Sequence, residues 1–189
     1  LDGHKLDEEV IVSKNAATQE GSNMKLAPGE KITVGDLMSG MLINSGNDAA
    51  VALAEHDSGE ESAFVQKMND RAFVLGLKDS HFSNAKGFDE SANYSTAYDT
   101  MIFAKAALKY PFILKLASTK TTDVASVDGK IKHHLESTNE LLGDSYLNVV
   151  GLKTGRTPGS GESFVSLLKG PADHYVLTVM LDSPSRFKE

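Results

Sequence analysis

A chain of 189 residues that is 40% apolar is long enough to bury a substantial core, which excludes a disordered or collagen-like polymer. With 19 Lys and Arg against 26 Asp and Glu the formal net charge is −7, and no basic patch in the sequence points to a nucleic acid. The longest uninterrupted apolar run, Ala49 to Ala54, is far short of the roughly 20 residues a bilayer span needs. The absence of cysteine removes disulfides, thiolate zinc sites and a Cys nucleophile together. The chain opens at Leu1 with neither a charged n-region nor an apolar h-region, which leaves the compartment open.

Glu9 to Ser13 reads as a short strand, and Gly21 to Glu30 as a loop punctuated by Pro28 and Gly29. Thr33, with Asp36 three residues on, resembles a capped start for the apolar-rich Leu37 to Ile43. Asn44, Ser45 and Gly46 interrupt that helix before Asp48 to His56 resumes it. Ser58 with Glu61 fits a capping box for a third helix, in which Phe64, Met68, Ala72 and Leu75 recur at near-helical spacing until Gly76. Leu77 to Tyr94 is rich in Gly, Asn, Asp and Ser and is expected to be a long ordered loop. Ser95 can then cap a helix to about Lys109, closed by Pro111.

From Thr119 the pattern turns to strands. Asp128-Gly129 is the sequence of a two-residue hairpin turn between Thr121 to Val127 and Lys130 to Leu135. Asn148 to Lys153, Ser163 to Leu168 and His174 to Leu181 are short β-rich runs, the last two joined by Gly170-Pro171, as in an antiparallel meander. Helices first and antiparallel strands after, without βαβ alternation, predict an α+β fold in which helices must pack on the C-terminal strands.

Two strings carry chemistry. Ser45-Gly46-Asn47 sits in the polar break between two helices, and Lys153-Thr154-Gly155 ends a strand 108 residues later. Each alone is short enough to arise by chance. Together, in this order and context, they match the second and third elements of the penicillin-recognising serine enzymes, whose first element is S-x-x-K. Such an enzyme acylates a serine that is inert at its own pKa, so it needs a neutral lysine as base and a relay to the leaving amine. Ser45 is the candidate relay hydroxyl, and the Asn47 amide can hold a substrate carbonyl and a lysine without adding charge. Lys153 supplies positive potential for proton transfer and carboxylate binding. Thr154 adds a hydroxyl for the carboxylate, and Gly155 leaves room for an extended peptide along the strand edge.

The surrounding text strengthens the match. Leu37 to Ala54 is very similar to the S-x-N helix region of the D-alanyl-D-alanine carboxypeptidase family. Leu75-Gly76-Leu77-Lys78 with His81-Phe82 and Asn84, and then Tyr94 to Asp99, resemble the family's connecting loop and following helix. Ser137-Thr138-Asn139 before Leu141-Leu142 resembles its asparagine-leucine segment, and Val150 to Thr157 its third-motif strand. The resemblance implies a helical subdomain, an antiparallel sheet with helices, and a cleft between them. It adds Thr157 to the substrate-binding set, with Arg186, followed by Phe187 beyond the last strand, as the guanidinium that holds the substrate's terminal carboxylate.

The chain departs from the family in three places. Lys86 precedes Gly87 where the family usually has histidine, the C-terminal helix expected after the last strand is absent by Glu189, and no S-x-x-K lies upstream of Glu9. Ser22-Asn23-Met24-Lys25 satisfies S-x-x-K literally but runs into Leu26-Ala27-Pro28-Gly29, which cannot continue a helix. The chemistry needs serine and lysine one helical turn apart on a rigid element, so Ser22 is not the expected nucleophile. Among six histidines the pair His133-His134 is adjacent, but there is no H-E-x-x-H or H-x-H set, and both are expected to be solvated strand residues. Asp7, Glu8, Glu9, Glu60 and Glu61 read as surface charges, the last two at a helix N-terminus.

The resulting expectation is one catalytic domain over 1–189, incomplete at both ends. As the resemblance implies, the parent would remove the terminal D-alanine from peptidoglycan stem peptides and be acylated by β-lactams, in an extracytoplasmic setting. Any membrane attachment would lie in parts not present here. The fragment itself, lacking a positioned nucleophile, is expected to be inactive. A class A β-lactamase is the nearest alternative, weakened by Gly46 in place of Asp and by the absence of a deacylation loop; a peptide-binding relative without a nucleophile is the other. No metal or organic cofactor is implied.

Overall fold

A computed structural model describes residues 3–144 and 146–188, apart from the side chain of Asp173. In chain order the elements are β1 (Glu9–Ile11), α1 (Lys14–Ala17), β2 (Lys31–Thr33), α2 (Val34–Ile43), α3 (Asn47–Ser58), α4 (Glu61–Leu75), α5 (Ala97–Ala107) and α6 (Pro111–Ala117). They are followed by β3 (Thr121–Ala125), β4 (Lys132–Glu136), β5 (Val149–Thr157), β6 (Gly161–Lys169) and β7 (Tyr175–Ser183). Helices with antiparallel sheets make this the expected α+β class. The chain divides into two compact units, one of residues 3–67, 84–86 and 121–137, the other of 68–83, 87–120 and 138–188. No helix of the described residues is long and apolar enough to cross a membrane.

In the first unit β1 and β2 form an antiparallel ribbon that sets Val10 opposite Ile32, both buried. Thr33 caps α2 as its sequence predicts: its hydroxyl oxygen accepts from the Asp36 N–H at 3.1 Å and its hydroxyl donates to the Asp36 carboxylate at 2.7 Å. Every residue of α3 from Asn47 to Ala54 is buried. The longest apolar run of the sequence is therefore a central helix apolar on all sides, with α1 and α2 packed against it. Ile32, Val34, Leu37, Ile43, Val51 and Leu135 complete the core.

The hairpin β3–β4 joins this unit from far along the chain, the Val127 N–H donating to the Lys31 carbonyl at 2.7 Å. Its turn differs from the expected two-residue form. A type I′ turn needs positive φ at both central residues, and only Gly129 has it, at 72°. The Gly129 N–H instead donates to the Ser126 carbonyl at 2.8 Å, and the Ser126 N–H to the Ile131 carbonyl at 2.9 Å. Asp128 accepts from the Ser126 hydroxyl and the Lys130 N–H, bonds that bring its carboxyl down to about 2.

Three helix boundaries also differ. Ser58 is the last residue of α3 and its hydroxyl goes to Asp57, so it does not cap α4. The chain turns at Gly59, in a positive φ that ends one helix before the next can start. The cap of α5 is Thr96, which accepts from the Asp99 N–H at 3.2 Å, while Ser95 bonds Ser80 and Thr100. Pro111 opens a further helix: it occupies the first turn of α6, where its missing N–H has no intrahelical partner to lose.

In the second unit the three long strands form a meander in the order β5–β6–β7, all antiparallel. Helix α5 packs on β7 and α6 on β5. Val149, Phe164 and Leu167 are buried, as are Ala104, Leu116 and Ala117 of the helices.

Candidate functional site

Ser45 occupies a left-handed backbone conformation, φ 56°, between the end of α2 at Asn44 and the extended Gly46 that precedes α3. A non-glycine residue held there costs on the order of 1 kcal/mol or more, so its surroundings must fix it. They do so through the loop at 20–26. The Asn47 N–H donates to the Ser22 carbonyl at 2.8 Å, one Asn47 amide hydrogen to the Glu20 carbonyl at 2.7 Å, and the Asn44 amide to the Asn23 carbonyl at 2.8 Å. Asp48, 1% exposed, accepts from the N–H groups of Met24 and Leu26 at 3.0 Å each. A Cβ on Gly46 would stand 3.2 Å from the Gly40 carbonyl and 2.9 Å from the Asp48 carboxylate, so the middle position of the motif has little room for a side chain.

The same loop contains Ser22 and Lys25. It is not helical, and Lys25 has φ 66°, so the pair cannot stand one helical turn apart on a rigid element. Three more strings in the chain satisfy S-x-x-K. Ser83 and Lys86 flank a loop, Ser166 and Lys169 lie on β6, and Ser185 and Lys188 in a terminal turn. None of the four is on a helix.

In the second unit, β5 is the edge strand of its sheet; beyond an isolated bridge between Leu142 and Val149, no described strand pairs with its outer edge. Lys153 lies on this strand, with its ammonium donating to the Thr154 carbonyl at 2.9 Å. Burial, and secondarily the charge of Arg186, push its pKa down to about 8. Thr154 is buried, its hydroxyl 2.6 Å from that of Thr138 in the asparagine-leucine segment. Gly155 is exposed, and its carbonyl accepts from Arg186 Nη1 at 2.9 Å. The Arg186 guanidinium lies 4.8 Å from the centre of the Phe187 ring, and its Nε is buried without a hydrogen-bond partner. Among the described residues no carboxylate pairs with that guanidinium.

Thr157, at the end of β5, is engaged differently. Its hydroxyl donates to Asp89 at 2.5 Å and also meets the Ser160 hydroxyl, while the Gly159 N–H donates to the same Asp89 carboxylate at 2.8 Å. Asp89 thereby latches the β5–β6 turn. The structure thus groups Ser45 with Asn47 in the first unit, and Lys153, Thr154, Gly155 and Arg186 in the second, with Thr157 in a separate latch.

Two contributors were silent in the sequence. Asp48 and Asp89 are ordinary polar residues until their partners, 22 to 70 residues away, are known. His133 corrects its expectation: it is buried, with Nδ1 2.8 Å from the Met24 carbonyl and Nε2 2.7 Å from the buried Glu30. Only His134 is exposed as expected, because alternate strand residues face opposite sides. Glu61 is likewise more than a surface charge, accepting from the Ala85 N–H at 2.9 Å and facing Lys86 at 3.5 Å.

Comparison with known proteins places the chain in a family. The D-alanyl-D-alanine carboxypeptidase family model matches residues 2–185. A D-alanyl-D-alanine carboxypeptidase, DacF, of Bacillus subtilis (strain 168) is 44% identical over 153 residues, 81% of this chain and 39% of its own length. DacD of Escherichia coli (strain K12) is 34% identical over 175 residues, covering 88% of this chain and 44% of its own. The crystal structure of the Streptomyces K15 DD-transpeptidase superposes with a TM-score of 0.89 at 31% identity, over 98% of this chain and 75% of that one. The chain belongs to the D-alanyl-D-alanine carboxypeptidase family and carries its penicillin-binding protein fold. It spans less than half the length of the curated relatives DacF and DacD.

Proposed function

We propose that the protein containing these residues removes the terminal D-alanine from peptidoglycan stem peptides through a serine acyl-enzyme, that β-lactams acylate the same serine, and that it acts outside the cytoplasm. Family membership supports the reaction class. The observation that carries the reading on this chain is the open edge of β5, where a desolvated Lys153 and a guanidinium without a carboxylate partner, Arg186, stand beside exposed Gly155. Two cationic groups at a free strand edge fit a short peptide that ends in a carboxylate and pairs by its backbone.

In this reading residues 1–189 belong to one catalytic domain. Ser45 relays a proton to the departing D-alanine amine, and Lys153, partly neutral near pH 8, serves the same proton transfer. Asn47 orients the substrate amide with its remaining polar capacity, and Thr154, Thr157 and Arg186 serve the carboxylate side. The nucleophile is assigned to an S-x-x-K helix outside residues 1–189, because none of the four strings within them is helical.

Fluorescent penicillin labelling of the full-length protein tests this. The wild type should be labelled, and Lys153→Ala should slow acylation by roughly 100-fold or more, the scale of a general acid–base contribution. Arg186→Ala should impair peptides with a free carboxylate more than the matching amides. A full-length protein that takes no label and releases no D-alanine would leave a peptide-binding relative without turnover.

A further inference from the structure

Two imidazoles and two carboxylates from distant parts of the sequence meet at the C-terminal end of α3. His4 Nδ1 is 3.0 Å from Glu8 Oε2, and His56 Nε2 is 3.4 Å from Glu8 Oε1. One ligand atom from each of His4, Glu8 and His56 lies within 4.8 Å of the other two. On its other side His4 presents Nε2 to Asp57 Oδ1 at 3.6 Å. Asp57 is itself held by Lys67 Nζ at 2.8 Å and by the Ser58 hydroxyl at 2.7 Å. The catalytic reading uses none of these groups.

A histidine–glutamate hydrogen bond accounts for His4 and leaves His56 unexplained. Its Nε2 is buried and close to a carboxylate oxygen, yet makes no hydrogen bond. An ion between the three side chains would satisfy that nitrogen. Zinc binds nitrogen and carboxylate oxygen at about 2.0–2.2 Å in a tetrahedron, which separates neighbouring ligand atoms by roughly 3.3 Å. The 3.0 and 3.4 Å run to the two different oxygens of Glu8, and one ligand atom from each residue lies within 4.8 Å of the others, so modest side-chain rotations bring the three to that spacing. A metal-bound imidazole usually directs its second ring nitrogen to a carboxylate, and His4 Nε2, 3.6 Å from Asp57, is within a small shift of doing so.

We propose that His4 Nδ1, His56 Nε2 and the Glu8 carboxylate bind a divalent transition-metal ion of the zinc type, with Asp57 as the outer acceptor for His4. Two imidazoles and one carboxylate suit zinc rather than magnesium or calcium, which take oxygen ligands. Glu8 is 40% exposed, so an ion can enter from solvent and keep a water as fourth ligand. The ion acts as a clip, fastening the segment that precedes β1 to the end of α3.

The test is calorimetric titration of the metal-stripped full-length protein with zinc chloride, and separately with magnesium chloride. The wild type should bind one more zinc per chain than His4→Ala or His56→Ala, and magnesium should give no such difference. Asp57→Asn should weaken the site by roughly 10- to 100-fold, as loss of an outer-sphere acceptor does. His134→Ala, an exposed histidine elsewhere in the same unit, should change nothing. Zinc should raise the Tm of the wild type but not of His56→Ala. Glu8→Gln, which keeps the side-chain shape, guards against a folding defect and should also lose the zinc. Equal zinc stoichiometry and affinity in wild type, His4→Ala and His56→Ala would overturn the proposal and reduce the cluster to an ion pair.

Discussion

Lys153 holds a cation where burial, and then the neighbouring Arg186, disfavour it, and its pKa falls to about 8. In the unfolded chain a lysine titrates near 10.4, so at neutral pH the proton is bound more tightly by the unfolded state. The fold therefore carries a cost of roughly 3 kcal/mol below pH 8, which fades as pH rises from about 8 towards 10.4. Lys153→Met is accordingly expected to be more stable than wild type at pH 7, with the difference shrinking by pH 10, while acylation of the full-length protein is lost. Denaturant unfolding at the two pH values checks this. A variant less stable than wild type at pH 7 would mean that the ammonium is well solvated in the fold. The residue type at this position was legible in the K-T-G string; its desolvation was not, because burial is set by chain segments remote from it.

At the scale of elements, the sequence was readable wherever a local signal dominates. The Thr33–Asp36 cap and the Gly76 stop come from contacts within one turn and appear where they were expected. The start of α5 was misplaced by one residue, since Ser95 and Thr96 are both good caps and only the distant Ser80 decides between them by engaging Ser95. Thr96→Ala should therefore cost about 1 kcal/mol in equilibrium unfolding, and Ser95→Ala less. The reverse order would return the cap to Ser95. The short α6 was missed because a proline after a helix reads as a stop, whereas at a first turn it is a start.

At the scale of the molecule, sequence-distant segments tie each unit together. His133 of β4 bonds both the Met24 carbonyl and Glu30, more than 100 residues earlier, in a setting where both side chains are almost wholly buried. Replacing it with alanine removes a buried hydrogen-bond partner from both Glu30 and the Met24 carbonyl, and His133→Ala is expected to lose roughly 1–3 kcal/mol in urea unfolding, against less than about 0.5 kcal/mol for the exposed His134→Ala. Similar losses for the two would show that Glu30 finds another partner.

The sequence by itself determined the α+β class, the progression from the longer helices to the later strands, and the S-x-N and K-T-G strings, because periodicity, turn chemistry and short motifs are local. It also determined that Ser22 and Lys25 cannot form a helical pair, since Pro28 and Gly29 follow too closely. Tertiary structure alone decided the open edge of β5, the depression of Lys153, the buried His133–Glu30 pair, and the meeting of His4 with Glu8 and His56. Each of these depends on what a side chain finds beside it after long stretches of chain have folded back, and neither residue type nor spacing along the chain encodes that neighbour.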